Sequence, residues 1–162
     1  MALVLDSEQT LLRDNALEFA RNRLPVTNLR RLRDAQDATG FDREAWREMA
    51  DLGWTGMLVP EEFGGNGFGH FGLGLVLEAL GRTLAASPLL STAALSSTAL
   101  LEAAPGSSLA RDWLAKIAAG DAVVAFAHDE SPLHRPLQVA TTARREGDHY
   151  VLDGRKRFVA DG

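Results

Sequence analysis

The chain has 162 residues, 46% of them hydrophobic and 24% charged, enough for one ordinary soluble domain or a small domain with part of another. It has no cysteine and a formal net charge of −5, which excludes disulfides, thiolate metal sites and a cysteine nucleophile and argues against a nucleic-acid surface. No run approaches the roughly 18 apolar residues of a membrane span, and the opening "MALVLDSEQ" lacks the basic flank and long apolar core of a secretory signal, so a cytoplasmic protein is expected.

The first three quarters read as helices. Asp6 or Ser7 can cap a helix with Leu12, Ala16 and Phe19 on one face, stopped by Pro25. A shorter piece follows around Leu29 and Leu32. Its Arg30, Arg31 and Arg33 have acids close by at Asp34 and Asp37, the pattern of a solvated face. Asp42 caps the next helix, with Ala45, Trp46, Met49 and Leu52 inward and Gly53 at the exit.

The stretch "GGNGFGHFGLGL" then contains a literal G-x-G-x-x-G at Gly67–Gly72, behind the apolar run 54–59. A dinucleotide fold needs a second strand after the helix, with an acid about 20 positions past the loop. Here Ser87-Pro88 leads into another helix, Pro60 breaks the approach, and no Gly-Lys-Ser/Thr is present. The loop therefore reads as a helix-to-helix connection in which backbones pass closely. "LGLVLEALGRTLA" and "LLSTAALSSTALLEAA" are apolar around most of their circumference, so at least one should be central in a bundle. The Ser and Thr residues of 91–98 are expected to pack or bond back to the helix rather than react. Ser107 or Ser108 caps "LARDWLAKIAAG", which Gly120 ends.

At Asp121 the period changes. "AVVAFA" reads as a short buried strand and "LQVATTARR" alternates. "HYVL-DG-RKRFVA" reads as a hairpin with Asp153-Gly154 in a two-residue turn, both at positive φ. The expected organisation is α+β, with a helical domain over 1–120 and a β domain over 121–162. Three or four strands with an open edge make a poor free-standing sheet, so the natural protein is expected to continue, or another chain to complete the sheet. His128, Asp129, Glu130 and His134 are a cluster with metal-ligand chemistry, but they lie on a strand end and a proline-bearing loop rather than at i, i+4 on a helix. They read as a polar loop, with no metal expected. His70 and His149 are isolated.

Three motifs carry a family resemblance. In "GWTGMLVPEEFGGNGFG", Trp54, Gly56, Pro60, Glu62, Phe63, Gly64, Gly65 and Gly67 match W-x-G-x-x-x-P-x-E-Y/F-G-G-x-G, which opens the long helices of acyl-CoA dehydrogenases. "WLAKIAAGDAVVAFAHDE" resembles that family's passage into its β domain, where a helix ending in Gly-Glu leads to A-F/Y-A-x-T-E-P. "GDHYVLDGRKRFVADG" resembles G-D-x-Y-V-L-N-G-x-K-x-W-I-T-N-G. The matches span nearly the whole chain, in order and at the family's spacing. The fold implied is an N-terminal orthogonal all-α bundle followed by the first strands of a β-barrel-like domain. The family's closing four-helix bundle has no counterpart here, so the chain is expected to be incomplete relative to the family.

The function implied is FAD-dependent α,β-desaturation of an acyl-CoA thioester. A glutamate takes the α proton, the β hydrogen passes as hydride to the flavin, and the electrons leave to an electron-transfer flavoprotein or similar acceptor. That glutamate belongs to the absent C-terminal region, so no catalytic residue is expected in this chain. The resemblance implies flavin contacts from Phe126, His128, Asp129, Phe158 and Ala160. It implies substrate contacts from Leu89, Thr92, Ala93 and Ser96 on the helix closing the acyl pocket, and from Arg135 where the family has a serine. A homo-oligomer is usual in the family.

Three flavin contacts depart from the pattern. Asp129 replaces a threonine that faces the flavin pyrimidine, and its carboxylate would oppose flavin reduction unless protonated or turned away. Phe158 replaces a tryptophan, and Ala160 replaces a threonine, leaving backbone donors there. The alternatives are a non-catalytic, flavin-poor subunit of a heteromeric complex and a helical interaction module.

Overall fold

A computed structural model describes residues 4–162. The chain forms α1 (Ser7–Arg23), α2 (Val26–Asp34), α3 (Arg43–Asp51) and α4 (His70–Gly81). A π-helix (Leu90–Ser96) runs directly into α5 (Ser97–Ala103), followed by α6 (Ser108–Ala118), β1 (Thr142–Glu146) and β2 (His149–Asp153). Short 3₁₀ turns occupy Trp54–Gly56 and Glu61–Phe63. Among the described residues no helix is long and apolar enough to cross a membrane. Two compact units are present, one running to Val124 and one covering Ala125–Gly162.

The helices start where their caps stand. Asp6 closes a reciprocal box on α1: its carboxylate accepts the Gln9 amide at 2.8 Å, and the Gln9 side chain accepts the Asp6 amide at 3.2 Å. Asp42 Oδ1 accepts the Glu44 and Ala45 amides, both at 3.1 Å, at the head of α3. Its other oxygen accepts from Asn28 at 3.0 Å and Arg31 at 3.3 Å, which ties α2 to α3. The Ala45 amide leads the effects that hold the Asp42 carboxyl below its ordinary value. Ser107 caps α6 by accepting the Ala110 amide at 3.2 Å.

Ala16, Ala20 and Leu24 of α1 pack in one buried cluster with Leu73, Val76, Ala79 and Leu80 of α4, Trp46 and Met49 of α3, and Leu89 and Ala93. Phe19 meets Trp54 edge to face at 5.0 Å between centroids. Val59, Leu114, Ile117 and Ala118 form a second cluster. Leu52, expected inward, is 51% exposed. Helix α3 ends at Asp51, and Gly53 at φ 75° turns the chain before Leu52 can continue the buried face.

The β region departs from the expected strands. Strands β1 and β2 pair antiparallel from Thr142↔Asp153 to Glu146↔His149, so the turn is Gly147-Asp148 rather than Asp153-Gly154. Gly147, at φ 62°, stands where a II′ hairpin turn requires its glycine. Gly154 serves a different constraint, because a Cβ there would lie 2.8 Å from the Thr141 Cα. The Ala140 and Thr141 amides bond to the Glu130 carboxylate, so the ladder begins only at Thr142. Residues 122–127 form no strand; the amide and carbonyl of Val124 bond to Thr92 and Ser96 instead of to a neighbouring strand.

Buried side-chain donors fix the end of α6. Thr55 Oγ1 donates to the Ala118 carbonyl at 2.9 Å, and Trp46 Nε1 donates to the Gly120 carbonyl at 2.9 Å. Thr55→Val keeps the shape and removes the donor, leaving a buried carbonyl unpaired at a cost of about 1–3 kcal/mol. The expected result is a lower urea midpoint with an unchanged slope, followed by tryptophan fluorescence. An unchanged midpoint would show that the carbonyl finds another donor.

Candidate functional site

The glycine loop turns its donors inward. The Gly65 amide bonds to Pro60 O, Asn66 to Gly56 O, Gly67 to Val59 O and Gly69 to Met57 O, all at 3.0–3.2 Å. The Phe68 amide bonds to the Asn66 side chain at 3.2 Å, and that side chain also donates to Gly53 O at 3.0 Å. A Cβ on Gly65 would stand 2.0 Å from Val59 O. A phosphate cradle needs these amides pointing outward, whereas here they fasten the loop to the segment before it.

Residues Leu89, Thr92, Ala93 and Ser96 are all buried around the π-helix. Thr92 Oγ1 accepts the Val124 amide at 3.0 Å and donates to the Val124 carbonyl at 3.1 Å. Ser96 Oγ donates to the same carbonyl at 2.9 Å. Their neighbours bond back along the helix, Ser91 to Pro88 O at 3.0 Å and Ser97 to Thr92 O at 3.2 Å.

In the second unit, the Phe126 and His128 rings stack at 5.7 Å with 9° between their planes. The Asp129 carbonyl accepts the Arg157 amide at 2.7 Å, and the His128 carbonyl accepts from Lys156 Nζ at 3.2 Å. These two bonds bring the segment of His128 and Asp129 beside the segment that continues into Phe158 and Ala160. Phe158 is 75% exposed and adopts a φ of 52°, uncommon for an aromatic residue. The Asp129 carboxylate meets His134 Nδ1 at 3.2 Å. Arg135 contacts Gln138 at 3.2 Å and is exposed.

Glu130, which the sequence reading placed only in a polar loop, is the centre of a hydrogen-bond network. Its carboxylate accepts from the Ala140 amide at 2.6 Å, the Thr141 amide at 3.0 Å, the Thr141 hydroxyl and Lys156 Nζ at 2.8 Å. Lys156, then the Thr141 hydroxyl and the Ala140 amide, hold its carboxyl at about 2, below the ordinary 4.5. The available signal was the acid of "AHDE" paired with the lysine of "RKRF", both inside motif segments. Among the described residues no group of His, Asp and Glu is arranged to hold a metal ion.

Residues 6–121 match the family described as Acyl-CoA dehydrogenase, N-terminal domain. Over 123 residues the chain is 38% identical to Acyl-CoA dehydrogenase FadE27 of Mycobacterium tuberculosis, covering 75% of this chain and 31% of that protein. The fold superposes on a variant of the Tcur3481-Tcur3483 steroid ACAD with a TM-score of 0.82 and 29% identity, over 95% of this chain and 41% of that one. The ChsE4-ChsE5 complex from Mycobacterium tuberculosis gives a TM-score of 0.80 at 29% identity, over 98% of this chain and 42% of that one. The chain spans 30% to 40% of the length of the first curated relatives it matches.

The Glu130 network has a defined pH window. A carboxyl depressed in the fold contributes fully above its ordinary value of 4.5, and that contribution is lost as pH falls toward about 2. The Ala140 and Thr141 amide resonances should therefore stay fixed down to about pH 3 and move below it, and Lys156→Met should raise their midpoint. Movement centred at the ordinary value in the unmodified protein would show a solvated Glu130.

Proposed function

Because the chain belongs to the acyl-CoA dehydrogenase family, we propose that it is the N-terminal portion of an FAD-dependent enzyme that desaturates an acyl-CoA thioester between its α and β carbons. One observation carries the cofactor part of this reading. The two segments from which flavin contacts are expected lie side by side, joined by Arg157 N to Asp129 O and Lys156 Nζ to His128 O.

The side chains present suit a flat aromatic cofactor. Phe126 and Phe158 keep exposed rings, at 42% and 75%, and a ring face is what a flavin stacks on. Ala160 leaves its backbone to do what a hydroxyl does in the family pattern. The Asp129 carboxylate is engaged by His134, which supports the turned-away arrangement that a reducible flavin requires of an acid at this position. Bound flavin would supply the hydride acceptor. Leu89, Thr92, Ala93 and Ser96 would wall the acyl chain, and exposed Arg135 would meet the CoA end. The base, and the electron-transfer flavoprotein or similar acceptor, lie outside this chain. A cytoplasmic homo-oligomer completes the reading.

A second reading has a specific motive. One solved relative is named as a complex, that of ChsE4 with ChsE5, and three expected flavin contacts here are changed: Asp129, Phe158 and Ala160. On that reading the chain belongs to a flavin-poor subunit that supports a catalytic partner.

The protein expressed from the full reading frame, incubated with FAD and desalted, is expected to keep a visible flavin band that bleaches anaerobically on adding an acyl-CoA. A colourless protein would overturn the first reading in favour of the second.

A further inference from the structure

We propose that Thr92 and Ser96 are positioning residues for the cofactor segment, acting by clasping both backbone groups of Val124. This rests on the flavin reading above and adds to it a role for side chains that need not touch flavin.

Between them the two hydroxyls do what a neighbouring strand would do. Thr92 Oγ1 takes the Val124 amide and returns a proton to its carbonyl, and Ser96 Oγ gives that carbonyl a second donor. A carbonyl oxygen has two lone pairs, so both are satisfied. Among the described residues, 122–127 pair with no strand, and it is Thr92 and Ser96 that bond the amide and carbonyl of Val124. The base of the clasp is buried: Leu89, Thr92 and Ala93 are each 0% exposed and Ser96 is 3% exposed.

The chain between α6 and Val124 is pinned in steps. Trp46 Nε1 holds the Gly120 carbonyl at 2.9 Å. The amides of Asp121 and Ala122 bond to Lys116 O at 2.9 and 3.3 Å. Val124 is the last residue of the helical unit, and Phe126 follows two residues later. The clasp therefore holds the backbone at Val124, two residues before Phe126 in the chain.

The same bonds bear on substrate. Each hydroxyl has one proton, and both protons go to the Val124 carbonyl. Neither side chain has a donor left for a polar group on an acyl chain, and what each hydroxyl could still offer a substrate is an acceptor lone pair.

The test uses the protein from the full reading frame with Thr92→Val, Ser96→Ala and the hydroxyl-keeping Thr92→Ser. Two quantities are read: FAD dissociation by fluorescence titration, and hydrogen exchange at the Val124 amide. Thr92→Val is expected to weaken FAD binding about tenfold and to speed Val124 exchange, with both effects reversed in Thr92→Ser. Should Thr92→Val fail to fold, Ser96→Ala makes the same test by weakening FAD binding less, or not at all if the proposal is wrong. Unchanged FAD affinity in the variants overturns the proposal, and so does a changed KM or chain-length preference at constant FAD affinity, which would place the hydroxyls against substrate. A wild-type protein that binds no FAD overturns the flavin reading itself, which separates that failure from failure of the clasp.

Discussion

The helical unit depends on how the C-terminal end of α6 is satisfied. A helix leaves its last carbonyls without intrahelical partners, and burying them unpaired is costly. Here the donors come from elsewhere in the fold, Thr55 for Ala118 and Trp46 for Gly120. Gly120 takes φ 72°, and a Cβ there would come within 2.3 Å of the Ala50 Cβ. Helix α3, the 3₁₀ turn after it and the end of α6 are thereby one body. The surface pair Arg47–Asp121 sits over the same junction, but an exposed ion pair adds little to buried hydrogen bonds.

That junction also explains one glycine upstream, Gly56. A Cβ on Gly56 would meet the Gly65 Cα at 3.2 Å and the Ala118 Cβ at 3.3 Å, so the loop, the 3₁₀ turn and α6 pass at backbone distance. Glycines in a G-x-G-x-x-G array can expose their amides to an anion or let backbones close on each other. The amides here bond to carbonyls of residues 56–60, and Gly67 and Gly69 take φ 59° and 91° with open space where a Cβ would stand, so they serve the turn of the chain, while the close backbone approach falls at Gly65, outside the array. The fingerprint and the close-packed connection are thus indistinguishable by spacing alone and distinguishable by where the amides point.

Legibility in the sequence follows the range of the interaction. Asp6, Asp42 and Ser107 are local caps, set by contacts two or three residues long, and each stands where the sequence places it. The hairpin was displaced by one turn because Asp153-Gly154 and Gly147-Asp148 are both plausible turns locally. The choice is made by the approach of Thr141 to Gly154 and by Glu130 holding the amides of Ala140 and Thr141, contacts 10 to 13 residues long. The π-helix left no mark in "LSTAALS", which has the apolar spacing of an ordinary helix. Of the proposed site, motif matching gave the residues, but the bonding of Thr92 and Ser96 to Val124, across 32 and 28 residues, could not be read from them.

Asp129 and Glu130 show how neighbours diverge in role through their donors. Glu130 receives two backbone amides, a hydroxyl and an ammonium, and its side chain is only 12% exposed. Its charge is neutralised locally, and the network fastens the start of β1 to the segment around Lys156. The Asp129 carboxylate has His134 as its described partner, on a side chain 74% exposed. That imidazole carries charge only when protonated. Glu130 thus meets the ammonium of Lys156, whereas Asp129 meets an exposed imidazole. Asp129 also anchors Arg157 through its carbonyl, a bond that any side chain at this position could leave intact. The backbone can thus hold the segments around residues 128–129 and 156–157 together whichever acid or alcohol stands at 129.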